Sequence, residues 1–261
     1  MIKFGKLTHP VDDIIKDIEF AKKNNFDYVE IGIESMNNAG EIKKKKLKIK
    51  KLLKNFSYKT IGHTTWWYDL SSLYDVVRNA WIKQGEEDIK ISNEIDIEYL
   101  NFHFMVLSIA LLQNKKSRKL ILDNYVKSLS YLCSYASKRK VKIMLENGEE
   151  KFEYYKYVLD RVPKLYVHLD IGHAFISGRM KNIKKFLSYF SNRIAHIHIH
   201  DNHGKNDEHL ALRKGKINWK AVVSVLKKSK YDKSVTFEVF KSEKDLLKSR
   251  EYFKKLWHNL K

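Results

Sequence analysis

Short runs rich in β-branched and aromatic residues alternate with longer runs whose apolar positions recur every three or four residues. The alternation repeats eight times along the chain. The strand-like runs are Ile2–His9, Asp27–Glu34, Tyr58–Thr64, Ile97–Phe104, Lys142–Asn147, Leu165–Ile171, Ile194–Asp201 and Ser234–Val239. Helical spacing is read between them at Asp12–Asn24, Gly40–Asn55, Ser71–Ser92, Lys115–Arg139 and Trp219–Lys228. In the first of these, Ile14, Ile15, Ile18 and Ala21 fall on one face. Strict β-then-α alternation predicts a parallel sheet with right-handed crossovers, and eight such units close into a (β/α)8 TIM barrel. The 261 residues suit one barrel, and no linker or low-complexity segment divides them, so residues 1–261 are expected to form a single domain. A doubly wound open sheet would usually have fewer strands and a Gly-rich first turn; no GxGxxG or P-loop is present.

Composition narrows the setting without supplying a mechanism. Hydrophobic content of 43% and charged content of 31% are those of a soluble globular chain. The longest apolar run, Phe102–Leu112, is too short to cross a bilayer and is interrupted by His103 and Ser108, so no membrane partner is expected. The N-terminus carries no charged-then-apolar signal region, which predicts a cytoplasmic protein. The lone Cys133 excludes an intramolecular disulfide and a thiolate-cluster metal site; its helical surroundings predict a buried structural thiol. The formal net charge of +20 would attract polyanions. Only eight of the 51 basic residues are Arg, however, and the lysines are spread over most helices, as at the solvated run Lys43–Lys46. The charge therefore bears modestly on a nucleic-acid partner and not on chemistry.

The chemistry-bearing residues gather where strands end, the place where barrels of this kind keep their active sites. Strand three ends in His63, strand four in His103 and strand five in Glu146. Strand six supplies Asp170 and then His173; strand seven supplies His196, His198 and His200, with Asp207 and His209 in its loop. Strand eight ends in Glu238. Any one of these could be an ordinary hydrogen-bonded residue. Six successive strands converging on one axis would instead bury mutually repelling carboxylates and imidazoles, a cost that a divalent cation relieves. Mixed N/O donors suit Zn2+, with Mn2+, Co2+, Fe2+ and Mg2+ as compatible ions. Strand parity turns His196, His198 and His200 to the same side, with His196 deepest, and puts Asp170 on the face of His168. Gly172 would let the chain turn sharply and bring His173 back over the mouth.

At these residues the sequence resembles the xylose isomerase-like TIM-barrel superfamily, and within it the endonuclease IV branch. The motifs are Asp170-Ile-Gly-His173-Ala, His198-Ile-His-Asp-Asn202, Asp207-Glu-His209 and Glu238, and the resemblance covers nearly the whole chain. It implies up to three zinc ions held by nine side chains. His63 and His103 would serve the first metal, with Glu146 bridging to the second. Asp170, His198 and Glu238 would complete the second, and His173, Asp207 and His209 would hold the third. It also implies hydrolysis of DNA at abasic sites, with Glu146, Glu238 and His173 central to catalysis and Glu146 orienting the nucleophile. Trp66 and Trp67, just after strand three, would stack on bases or fill the gap left by a flipped nucleotide. Arg213, with Lys214 and Lys216, would contact phosphates.

The same superfamily contains sugar and sugar-phosphate isomerases and epimerases, which generally use only Glu146, Asp170, His198 and Glu238 of this set. On that alternative Glu146 and Glu238 form an acid/base pair flanking a sugar, and His200 or Lys205 contacts hydroxyls or a phosphate. Two places depart from the endonuclease pattern: Phe104-Met105 stands where that branch has Pro-Gly, and Ser35–Asn38 lacks an arginine.

Overall fold

In the computed structural model, which describes residues 2–106 and 109–260, eight parallel strands pair in chain order and close on themselves through β1 and β8. The strands are β1 Lys3–Leu7, β2 Tyr28–Ile33, β3 Ile61–Thr64, β4 Tyr99–His103, β5 Lys142–Glu146, β6 Tyr166–Asp170, β7 Ile194–Ile199 and β8 Ser234–Phe237. Around them run α1 Ile14–Lys23, α2 Ala39–Leu53, α3 Asp75–Glu94, α4 Ile109–Gln113, α5 Lys115–Ser137, α6 Phe152–Arg161, α7 Ile171–Phe190, α8 Trp219–Lys228 and α9 Glu243–Asn259. This is the expected (β/α)8 barrel. Ser108, one of the two interruptions noted in the apolar run, lies outside the described residues.

Short polar side chains set most helix starts: Asp13, Asn38, Asn114, Asn218 and Ser242 each accept backbone N–H groups of the first turn. Helix α3 begins later than its periodicity suggests. The carbonyl of Leu70 accepts Ser128 Oγ at 2.8 Å and that of Ser72 accepts Asn124 Nδ2 at 3.0 Å. Those carbonyls are committed to α5, so the segment 69–74 forms turns instead of a first helical turn. Cys133 is buried, as its surroundings predicted, and burial pushes its thiol up to about 12. Among the described residues, no helix is long and apolar enough to cross a membrane.

The core between strands and helices is apolar and continuous. The barrel's own interior is divided. Its lower end, where strands begin, is filled by Tyr28, Ile61, Met144 and Ala195 with Tyr58, Tyr99 and Tyr166 packed against them. Its upper end, where strands finish, is filled by histidines and carboxylates. Register places these in rows: His103 lies beside Glu146, and Asp170 beside His198.

Candidate metal centre

Glu146, the last residue of β5, is 1% exposed and forms the hub. Its Oε2 lies 3.1 Å from His103 Nε2, 3.4 Å from His63 Nε2 and 3.4 Å from His168 Nδ1, while its Oε1 lies 3.6 Å from His198 Nδ1. Asn101 Nδ2 also donates to it. Burial would raise this carboxyl, but the surrounding His168, His103 and His198 hold it well below the usual carboxylate range. His198 Nδ1 is in turn 3.2 Å from Glu238 Oε2 and 4.0 Å from Asp170 Oδ2. Three carboxylates thus converge on one ring nitrogen.

A second gathering sits beside the first. His173 Nε2 and His209 Nε2 lie 3.1 Å and 2.8 Å from the same oxygen, Asp207 Oδ2. His173 Nδ1 lies 3.0 Å from the Asn147 carbonyl, to which it can only donate. With Nδ1 donating there, Nε2 is the nitrogen turned toward Asp207. Burial would lower this ring, but the carboxylates of Asp170, Asp207 and Glu146 outweigh it and raise the ring well above its ordinary value, so without a cation Nε2–H donates to Asp207. His209 Nδ1 lies 3.6 Å from Glu238 Oε2, which links the two gatherings.

The placement of His173 corrects the expected sharp turn at Gly172. Asp170 caps α7, its Oδ1 accepting the His173 backbone N–H at 2.6 Å, so His173 projects from the first turn of this helix, well before the kink at Gly178 and Arg179. Gly172 is needed for a different reason: a Cβ there would sit 2.1 Å from the His200 ring. His200 itself does not reach the cavity as a rim contact would. It is fully buried, with Nε2 at 3.3 Å from Asp170 Oδ1 and 3.4 Å from Asp207 Oδ1, so it underlies the second gathering.

The loop presenting Asp207 and His209 is held at its root by Asp201, which is fully buried. Its Oδ1 accepts the N–H of Asn202 at 2.9 Å and of Ile217 at 3.1 Å. Its Oδ2 accepts the N–H of Arg213 at 2.8 Å and Trp219 Nε1 at 2.9 Å, and the backbones of Asp201 and Leu210 pair. This folding carries Lys205 and Arg213 away from the mouth. Both are exposed outside the cavity, and the Arg213 guanidinium rests 5.3 Å from the Tyr252 ring.

Above the cluster opens a cavity of about 910 Å³. His63, His103, Glu146, His173, His209 and Glu238 line its floor, with Asp207 among them, whereas Asp170 and His198 lie sealed beneath. Trp66 and Trp67, 50% and 37% exposed, stand on its wall with ring centroids 5.5 Å apart. Sequence reasoning missed several residues here. Glu34 lines the cavity, 3.8 Å from His63 Nδ1. Glu150 lines it too, pushed up to about 7 by burial. Glu30 is fully buried and touches both His196 and His198. A carboxylate inside the otherwise apolar run Tyr28–Ile33 was the available signal for Glu30.

The ring nitrogens of His63 and His200, Nδ1 of His103 and Oδ2 of Asp170 are buried without a hydrogen-bond partner. The sets His63–His103–Glu146, Asp170–His173–His200 and His200–His209–Glu238 each bring donor atoms within 4.8 Å of one another. Unpaired buried donors and acceptors are costly, and this mixture of imidazole and carboxylate is the chemistry that divalent cations satisfy.

Residues 18–256 match the family model described as the xylose isomerase-like TIM barrel. The chain belongs to this family. Two uncharacterized proteins of Methanocaldococcus jannaschii are 32% and 28% identical to it over 61% and 97% of its length. The matches span 62% and 88% of those proteins. A probable endonuclease 4 of Aquifex aeolicus is 27% identical over 67% of this family member and 68% of its own length. Among solved structures, a D-tagatose 3-epimerase-like protein superposes with a TM-score of 0.85 at 26% identity, covering 98% of this chain and 97% of the other.

Proposed function

We propose that this family member is a divalent-metal-dependent phosphodiester hydrolase of the endonuclease IV type, acting on DNA at abasic sites. The observation that carries the reading is the convergence of His173, Asp207 and His209 beside the Glu146 hub. An epimerase-type centre needs only Glu146, Asp170, His198 and Glu238. A second, adjoining donor set is what a multi-metal hydrolase requires.

His63 and His103 would hold one ion, with Glu146 shared. Asp170, His198 and Glu238 would hold a second, and His173, Asp207 and His209 a third. Zinc suits these donors best. Such ions would make a bound water acidic and offset charge on the phosphate oxygens. The protein's own part is positional. Glu146, fixed by Asn101 and its row of histidines, sits on the cavity floor where it can orient an attacking water. The Asn147 carbonyl fixes the tautomer of His173. Trp66 and Trp67 offer faces on which an extruded nucleotide could stack. The net charge of +20 favours a polyanionic partner at low salt.

The match to the D-tagatose 3-epimerase-like structure favours a second reading. In it Glu146 and Glu238, both within 3.6 Å of His198 Nδ1, exchange protons with a sugar carbon. A duplex oligonucleotide bearing one abasic site decides between them. Zinc-supported cleavage 5′ to the lesion by the wild type, lost in His173→Ala, supports the hydrolase. No cleavage by fully metallated protein overturns it and leaves the sugar reading, testable by epimerisation of free and phosphorylated ketoses.

A further inference from the structure

Glu30 and His196 are fully buried in the middle of the barrel; register sets Glu30 beside Ile61, two residues before His63, and His196 stands two residues before His198 on its strand. They form one end of a hydrogen-bonded chain across the interior. Ser234 Oγ lies 2.8 Å from His196 Nδ1, and His196 Nε2 lies 3.0 Å from Glu30 Oε2. The same Glu30 oxygen lies 2.9 Å from His198 Nε2, and His198 Nδ1 faces Glu238 at 3.2 Å.

We infer that Glu30 is a positioning residue: it accepts the Nε2–H of His198, and so commits His198 to offering the Nδ1 lone pair to the metal layer. The inference rests on the metal reading of the site and deepens it. A carboxylate can only accept, so two imidazole nitrogens sharing one Glu30 oxygen must both carry hydrogen. For neutral His196 that makes Nδ1 the acceptor of the Ser234 hydroxyl. For His198 the Nε2–H stays on Glu30, so Nδ1, held among Glu146, Asp170 and Glu238, is the nitrogen whose proton an incoming cation would displace.

The ring is also held against the opposite arrangement. The His63 ring stacks on it with a centroid distance of 5.3 Å and an interplanar angle of 13°, and the His168 ring meets it edge-on at 4.0 Å. Turning the ring over would take both nitrogens off their carboxylates inside this packing. A carboxylate behind a ligating imidazole raises its basicity and fixes its orientation, and removing such a partner typically weakens metal binding about 10- to 100-fold.

The test uses zinc alone as the probe and begins with the wild-type protein carrying 15N-labelled histidine. In the zinc-loaded protein His198 is expected to keep a proton on Nε2 and to ligate through Nδ1; zinc on Nε2 would overturn the inference. Chelator competition then compares variants. Glu30→Gln is expected to raise the zinc Kd roughly 10- to 100-fold. His196→Gln, which cuts the other arm of Glu30, should leave the zinc Kd within about threefold of wild type, whereas a merely structural Glu30 would make both variants alike. Equal zinc affinity in wild type and Glu30→Gln also overturns it. A wild-type protein that takes up no zinc brings down the metal reading itself, and this inference with it. The nitrogen assignment needs no variant, so a Glu30→Gln protein that fails to fold does not block the test.

Discussion

The two ends of the barrel interior solve the same packing problem in opposite ways. At the lower end the polar atoms brought inside are paired locally: the Tyr28 hydroxyl meets Thr236 Oγ1 at 2.9 Å, and Glu98 at the margin pairs with Lys142 at 2.9 Å and also with Lys59. Apolar Ile61 and Met144 fill the rest. At the upper end His63, His103, His168, Asp170 and His200 all carry buried atoms with no partner. The lower end pairs its polar atoms within the protein, whereas the upper end gathers imidazoles and carboxylates of the kind that could hold a divalent cation. Stability and chemistry are thereby assigned to different ends of one set of strands.

Changes at the hub should break this contrast most sharply. Glu146→Ala removes the one carboxylate shared by His63, His103 and His198, and turnover is expected to fall at least ~1000-fold with bound metal reduced. Metal analysis of a protein with wild-type circular dichroism is the check. His209→Ala should cost about 100-fold in turnover while the Glu146-centred ions stay bound, read as a drop in stoichiometry by one.

Titration of the metal-free protein gives the next effect. Burial lowers His63, yet the neighbouring carboxylates of Glu146 and Glu34 outweigh it and lift it to about 10. Burial likewise lowers His209, and Glu238 and Asp207 lift it to about 9. For Glu238 burial raises the pKa, but His209 and His198 bring it down to about 2. The raised histidines stabilise the fold fully below their ordinary 6.5, and that contribution fades as pH climbs through about 9 and 10. The lowered Glu238 contributes fully above its ordinary 4.5, a contribution lost as pH falls toward about 2. The Tm of metal-free protein should therefore be greatest between pH 4.5 and 6.5 and decline on both sides. Zinc-loaded protein should lose the alkaline decline, because the cation takes the place of the protons.

The lower end should respond in stability alone. Met144→Ala should cost about 2–4 kcal/mol in denaturant unfolding without altering zinc affinity. Tyr28→Phe, which deletes one buried hydrogen bond, should cost about 1 kcal/mol, again with zinc affinity unchanged. A change in zinc binding in either variant would show that the two ends are coupled.

The barrel was readable in the sequence because buried parallel strands are near-continuous apolar runs, and the clustering of histidines and carboxylates was readable because they end those runs. What the sequence hid lies in partnerships and in loop paths. Glu30 is remote in sequence from His198, and only barrel closure brings them to 2.9 Å. Lys205 and Arg213 look basic and near a motif, yet the long loop after β7 turns them outward. His173 was legible as a donor, but its seat in a capped helix depends on Asp170 serving as N-cap, a second role that a list of acidic residues does not reveal.

The clamp at Asp201 makes the loop carrying Asp207 and His209 a separable module. Most of its anchoring bonds gather at its root, on the Asp201 carboxylate and backbone and on Asn202, outside the eight strands. A lineage could alter or discard that loop and keep the Glu146 hub intact. The route between one kind of reaction and another in such barrels would then run through exchange of one surface segment, with the eight strands inherited unchanged.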